Sequence, residues 1–224
     1  MFNTRKSLIF FLVLGLLLSA STAFAAEAPA LSESDRNTLQ QAAEAYKAKD
    51  FAKVKTLVKP LADKKVPPAC FLMGLVSVRP DAGGQDFKSA EKYWKVAADA
   101  GLPEAQFSLG FLYYSNALGN RDLKKARDLW SKAAKSGMPD AQFGMGLLMM
   151  NGEGGGTKDE AGAVKMFRAS ADKGFPPAMM ALARAYAEGL GGLKKDPKQA
   201  RALVQKAADA GLPEAKKQLE NMKE

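Results

Sequence analysis

The chain is predicted to be an all-α array of antiparallel helix pairs, about 11 helices in total, and three observations carry that prediction. Past residue 26 there is no Ile, and only eight Val and three Thr, whereas the whole chain holds 39 Ala. So few β-branched residues leave little to build strands with, and Ala, Leu, Lys and Glu favour helix. The segments Ala69–Gly74, Ala105–Gly110, Ala141–Gly146 and Ala178–Ala183 repeat one pattern at spacings of 36, 36 and 37 residues. Each is followed at a near-constant distance by an Asp, an Ala, a large apolar residue and a Gly-x-Pro turn, so the unit is helix, loop, helix, turn.

Residues 1–25 have the plan of a secretory signal peptide. Arg5 and Lys6 precede an apolar run from Leu8 to Leu18, and Ala23-Phe24-Ala25 fits a small-x-small cleavage site. The alternative is a retained anchor, for which the run falls short of the roughly 20 apolar residues a span needs. No Cys stands near the cleavage site to take a lipid. The expected location is the periplasm or the exterior, with residues 26–31 as a disordered tail.

Residues 32–67 are expected to form an N-terminal helix pair, Ser34–Lys47 and Phe51–Lys64, with Asp50 as a helix cap. Residues 68–212 hold the four repeats. Asp86, Asp122, Asp159 and Asp196 each precede by four residues the Ala of a second helix (Ala90, Ala126, Ala163, Ala200). There an Asp can accept hydrogen bonds from free amides and favour the dipole. Trp94, Trp130, Phe167 and Val204 follow those Ala by four, on the same helix face. Gly101, Gly137, Gly174 and Gly211 can take the left-handed conformation that ends a helix. Pro103, Pro139, Pro176 and Pro213 then begin the next helix without losing a needed amide. Residues 213–224 form a capping helix, rich in Lys and Glu.

The pattern resembles the Sel-like repeat family, which is related to the tetratricopeptide repeats. The second unit carries it in Ala105, Leu109, Gly110, Tyr113, Asp122, Ala126, Trp130, Ala133, Ala134 and Gly137. Four departures are expected to weaken packing: Ser77 and Met149 in place of the Tyr, Ala183 in place of the Gly, and Val204 in place of the aromatic. The resemblance implies a right-handed α-solenoid with a concave inner surface. It also implies a non-enzymatic scaffold that binds another protein in the cell envelope. Other exported members suggest a regulator of a membrane sensor or of polysaccharide export. A cysteine-rich branch suggests β-lactam hydrolysis; that reading is disfavoured because one Cys cannot staple repeats, and no Ser-x-x-Lys nucleophile is expected.

Composition removes most chemistry. The 224 residues carry a net charge of +9, no His and one Cys. Imidazole-dependent catalysis is excluded, as is a Cys-rich zinc site, so no catalytic residue, metal or cofactor is expected. Asn151–Gly156 and Gly189–Gly192 are read as inter-helix loops, since neither has the ending of a phosphate loop. Cys70, in an apolar run, is read as a core residue.

Two surfaces remain as candidates. By analogy with tetratricopeptide arrays, the first helix of each unit lines the concave side. That places Phe71, Leu75 and Val78, then Phe107, Phe111 and Tyr114, then Phe143, Leu147 and Met150, then Met180 and Arg184 along one groove for a peptide segment. The open alternative is that its aromatics pack between helices. The other candidate is a basic patch, Lys47, Lys49, Lys53, Lys55 and Lys59, continued by Lys64 and Lys65 against only Asp50 and Asp63. It is either a solvated face or a contact for anionic envelope lipid or polymer. Nucleic acid is not expected, because the patch lacks interleaved aromatics.

Overall fold

A computed structural model describes residues 31–221, so the expected leader and nearly all of the expected tail lie outside the described residues. The described residues form 11 α-helices, two single 3₁₀ turns and no strand. They divide into two units, with the boundary between Leu109 and Gly110.

The first unit contains α1 (Glu33–Lys47), α2 (Phe51–Asp63), α3 (Pro67–Ser77), α4 (Phe87–Asp99) and the opening turns of α5 (Pro103–Ser115). Helix α1 starts one residue before the expected Ser34, because the Ser32 hydroxyl accepts from the Asp35 amide as its cap. α3 packs against α1, α2 and α4. Surrounded in this way, it buries every residue from Ala69 to Val76. Cys70 lies there, 1% exposed, its thiol toward the Ala62 carbonyl.

The second unit contains the rest of α5, then α6 (Leu123–Lys135), α7 (Pro139–Asn151), α8 (Glu160–Ala171), α9 (Pro176–Glu188), α10 (Pro197–Asp209) and α11 (Pro213–Asn221). α7 packs between α6 and α8, and α9 packs between α8 and α10, as in stacked helix pairs.

The junctions repeat one chemistry. Each second helix (α2, α4, α6, α8, α10) starts at an Asp whose carboxylate accepts from the amide three residues on: Asp50 from Lys53, Asp86 from Ser89, Asp122 from Lys125, Asp159 from Gly162 and Asp196 from Gln199. These bonds hold two of the carboxyls below the usual range. For Asp86 the Ser89 hydroxyl contributes most, and for Asp122 the Lys125 amide. In the four repeats the Asp amide also donates back to the preceding helix, to the carbonyls of Ser77, Tyr113, Met149 and Tyr186 at 2.8–2.9 Å. Because this bond uses only backbone, Ser77 and Met149 can stand where the family has Tyr.

At the end of each second helix the chain turns through a left-handed residue. Gly101, Gly137, Gly174 and Gly211 fill that position with φ of 83–91°. In the N-terminal pair it falls to Lys65, at φ 60°. A side chain costs about 1 kcal/mol there relative to Gly.

The aromatic of each second helix enters a notch made by glycine. A Cβ on Gly74 would collide with the Trp94 ring. On Gly110 it would stand 2.6 Å from Trp130, and on Gly146 2.5 Å from Phe167. Trp130 is held on both sides, since a Cβ on Gly144 of α7 would lie 2.7 Å from its other edge. Trp94 adds a hydrogen bond from its indole N–H to the Phe71 carbonyl at 3.1 Å. The fourth repeat reverses both sizes, with Ala183 (3% exposed) and Val204 (1% exposed) in one core cluster. Both side chains are buried in that cluster, and a larger notch residue paired with a smaller plug is expected to conserve the volume of the site.

Trp130→Ala should cost about 3–5 kcal/mol in urea unfolding. Gly144→Ala should also destabilise, by about 1–2 kcal/mol, because displacing the ring outweighs the gain in helix propensity. A neutral Gly144→Ala would refute the notch. In the fourth repeat, Val204→Trp should be severely destabilising alone and should recover at least about 1 kcal/mol in combination with Ala183→Gly. Strict additivity of the pair would show that the two positions do not compensate.

Candidate interaction surface

The groove residues fall into three environments. Phe71, Leu75, Val78 and Phe107 are 0–3% exposed and belong to the interior. The cause in α3 is the number of neighbours: Phe71 lies 6.5 Å from the Trp94 ring, inside a helix enclosed by three others. These four positions therefore cannot line a surface, and the groove reading is corrected there. Phe111, Tyr114, Phe143, Leu147, Met150 and Met180 are half-buried, and Arg184 is exposed. All seven belong to the second unit.

Five of the half-buried side chains, all but Phe111, pack against rings or core residues of the second unit. The Tyr114 ring sits 5.1 Å from the Trp130 ring. Its other contact is Arg121, whose guanidinium lies 4.7 Å over the ring while its Nε donates to the Tyr114 carbonyl at 3.0 Å. Phe143 is placed by Phe167 at 5.8 Å and by Phe175 at 5.5 Å. Phe143, Leu147, Met150 and Met180 all pack on the core formed by α8, α9, α10 and α11. Arg184 is paired with Glu188 at 2.8 Å, one turn along α9. The stripe is thus apolar, anchored from below and partly open to solvent.

The basic patch is less free than its density suggests. All five lysines are exposed. However, Lys47 pairs with Glu44 at 2.9 Å and Lys59 with Asp63 at 3.0 Å. Lys55 donates to the Ala82 carbonyl in the loop of the first repeat. Lys49 holds a left-handed turn at φ 60°, and Lys53 supplies the amide that Asp50 caps.

Three features escape sequence reasoning. One is a clasp between neighbouring repeats at the fifth residue of the second helix. Lys55 bonds Ala82, Arg127 donates to the Glu153 carbonyl at 3.2 Å, and Val164 abuts Gly191. Another is the pair of Ser-x-x-Lys spacings at Ser89–Lys92 and Ser170–Lys173, where none was expected. Ser89 is occupied by the Asp86 cap. The fully buried Ser170 donates to the Pro139 carbonyl at 2.7 Å, and Lys173 is bound to the Gly137 carbonyl. Both serine hydroxyls are committed to hydrogen bonds within the fold. Among the described residues, no three His, Cys, Asp or Glu side chains gather as a metal site.

The third feature is Asp140, in the first turn of α7. Burial pushes its carboxyl up to about 6, against the pull of its own backbone amide. The preceding Pro139 marks the position in the sequence, but burial does not show there. The native state holds this proton more tightly than the unfolded chain does. Its contribution to stability is complete below about pH 4 and is lost as pH rises through about 6. Asp140→Asn should therefore raise stability at pH 7.5 by roughly 1–3 kcal/mol and leave it nearly unchanged at pH 4. Thermal melts across that range would show this, and an equal effect at both pH values would refute it.

Four consecutive stretches, 67–102, 103–138, 139–175 and 176–212, match the Sel1 repeat. A Sel1 repeat protein from Oxalobacter formigenes is 28% identical, with a TM-score of 0.71 over 79% of this chain and 71% of that one. A Sel1 repeat protein of Klebsiella pneumoniae subsp. pneumoniae shares the fold at 18% identity, with a TM-score of 0.57 over 85% of this chain and 93% of its own. An immunity protein of Pseudomonas aeruginosa does so at 21% identity and a TM-score of 0.54, over 84% of this chain and 69% of its own. No curated protein matches. The matched repeats cover well over half of the sequence, and the chain belongs to the Sel1 repeat family.

Proposed function

We propose that this member of the Sel1 repeat family is a non-enzymatic scaffold of the bacterial cell envelope, periplasmic or secreted. In this reading it holds an extended apolar or amphipathic segment of a partner protein. The observation that carries it is the half-open stripe of the second unit, Phe111, Tyr114, Phe143, Leu147, Met150 and Met180. Large apolar side chains left at the surface in series mark contact sites more often than accidents. The two methionines supply a polarizable lining that adapts to varied side chains. Arg121 and Arg184 border the apolar residues with charge and give the stripe a polar rim. The leader pattern of residues 1–25 supports the location.

A protein recovered by affinity capture from envelope extract, once identified and purified, provides the test. Tyr114→Ser with Met150→Ser should weaken its binding at least tenfold, while far-ultraviolet circular dichroism stays unchanged. Tyr114 rests on Trp130 and Met150 on the core, so the stability loss should be about 1–3 kcal/mol. Undiminished binding by the folded double variant would remove the stripe from consideration.

A further inference from the structure

The positive charge of the second unit is sorted by helix. Its second helices, α6, α8 and α10, hold ten Lys or Arg against three Asp or Glu. The helices they pack against, α7, α9 and α11, hold three against four. Sequence reading finds the dense run around Lys53 and passes over this layer, because its charges are spread over more than eighty residues. The first unit sorts the same way: α2 and α4 hold six lysines against three acids, and α1 and α3 hold two cations against three.

Within α6 the sorting continues around the helix. Ala126, Trp130 and Ala133 are buried, and Lys124, Lys132 and Lys135 occupy the opposite arc. Lys165 of α8 and Lys198 and Lys206 of α10 are exposed in the same sense, turned away from Phe167 and Val204. Among the described residues, none of these six lysines makes an ion pair, whereas Lys47, Lys55 and Lys59 of the N-terminal patch are engaged.

We propose that the outward face of α6, α8 and α10 rests on an anionic lipid bilayer through these lysines. Charge complementarity names the partner, and the kind of charge narrows it. The six are lysines, mobile point charges suited to the diffuse field of a bilayer. Two of the arginines that could have gripped a phosphate bidentately are engaged within the chain, Arg127 on the part-buried Glu153 carbonyl and Arg168 on the Tyr186 hydroxyl at the surface. The outward arc of these helices carries no aromatic to stack on bases or to wedge among acyl chains. Binding is therefore electrostatic and superficial, and it leaves the apolar stripe on the other helices open.

The test is sedimentation of the purified protein with vesicles of about 30% phosphatidylglycerol in phosphatidylcholine, at about 50 mM and about 500 mM salt. The wild type should bind at low salt, detach at high salt and ignore pure phosphatidylcholine. Lys124→Gln with Lys132→Gln and Lys135→Gln should lower partitioning at least tenfold, on a scale of about fivefold per lysine near the surface. Lys165→Gln with Lys198→Gln and Lys206→Gln should do the same independently, and circular dichroism should show both variants folded. Tyr114→Ser with Met150→Ser should bind vesicles like the wild type, which separates this face from the stripe. No wild-type binding at low salt would overturn the proposal, as would a loss confined to Lys53→Gln with Lys55→Gln and Lys59→Gln. Tight binding to duplex DNA or heparin without binding to vesicles would assign the face to a polymer and overturn it equally.

Discussion

The insertion of a ring into a gap left by a missing Cβ is the contact on which the first three repeats depend. Trp94, Trp130 and Phe167 each occupy the space over a glycine of the partner helix, too close for any side chain to be added. Dispersion and apolar burial both peak when a large flat group meets bare backbone at that distance. The contact fixes how near the two helices approach and the rotation of each about its axis. Once rotation is fixed, every other side chain has its address. In α6 the arc containing Trp130 is interior, and the arc containing Lys124 and Lys132 is solvent.

The junctions serve that contact. An Asp that caps its own helix and donates its amide to the preceding one sets the distance, along the chain, between notch and plug. The left-handed Gly after the plug returns the chain within two residues, so the next Pro starts a helix at a set height. Because both devices use backbone groups, they tolerate changes around them. The fourth repeat shows how far this extends: with cap and turn intact, the plug shrinks to Val204 while the notch fills with Ala183, and both stay buried.

Much of this is legible in the sequence, because each device needs a particular residue type at a set interval. Asp50, Asp86, Asp122, Asp159 and Asp196 announce caps, and Gly101 and its equivalents announce turns. Burial of the apolar stripe is not legible in the same way. Phe71 and Phe143 share one register position, yet Phe71 is fully enclosed and Phe143 is half-open. The difference lies in what surrounds α3 and α7, a property of distant residues that local spacing does not encode. The basic patch misleads for a related reason. Lys47 and Lys59 look free in a list of charges, and become paired only when the helix places Glu44 three residues before one and Asp63 four residues after the other.

The same rotation gives the second unit two faces of different physics from one repeated helix pair. A first helix must be small and apolar where it receives the plug, so α7 has Gly144 and Gly146 beside Phe143 and Leu147. It has little room for charge, and what remains at its outer edge is apolar surface anchored on the core. A second helix presents one stripe inward and is unconstrained on the rest, so lysines accumulate there at little cost in packing. Exposed apolar residues and exposed like charges are each a liability in a soluble chain, the first through association and the second through repulsion. In the second unit, keeping them on opposite helices of a pair separates the liabilities. The two proposed contacts, an apolar peptide and an anionic surface, therefore draw on different residues.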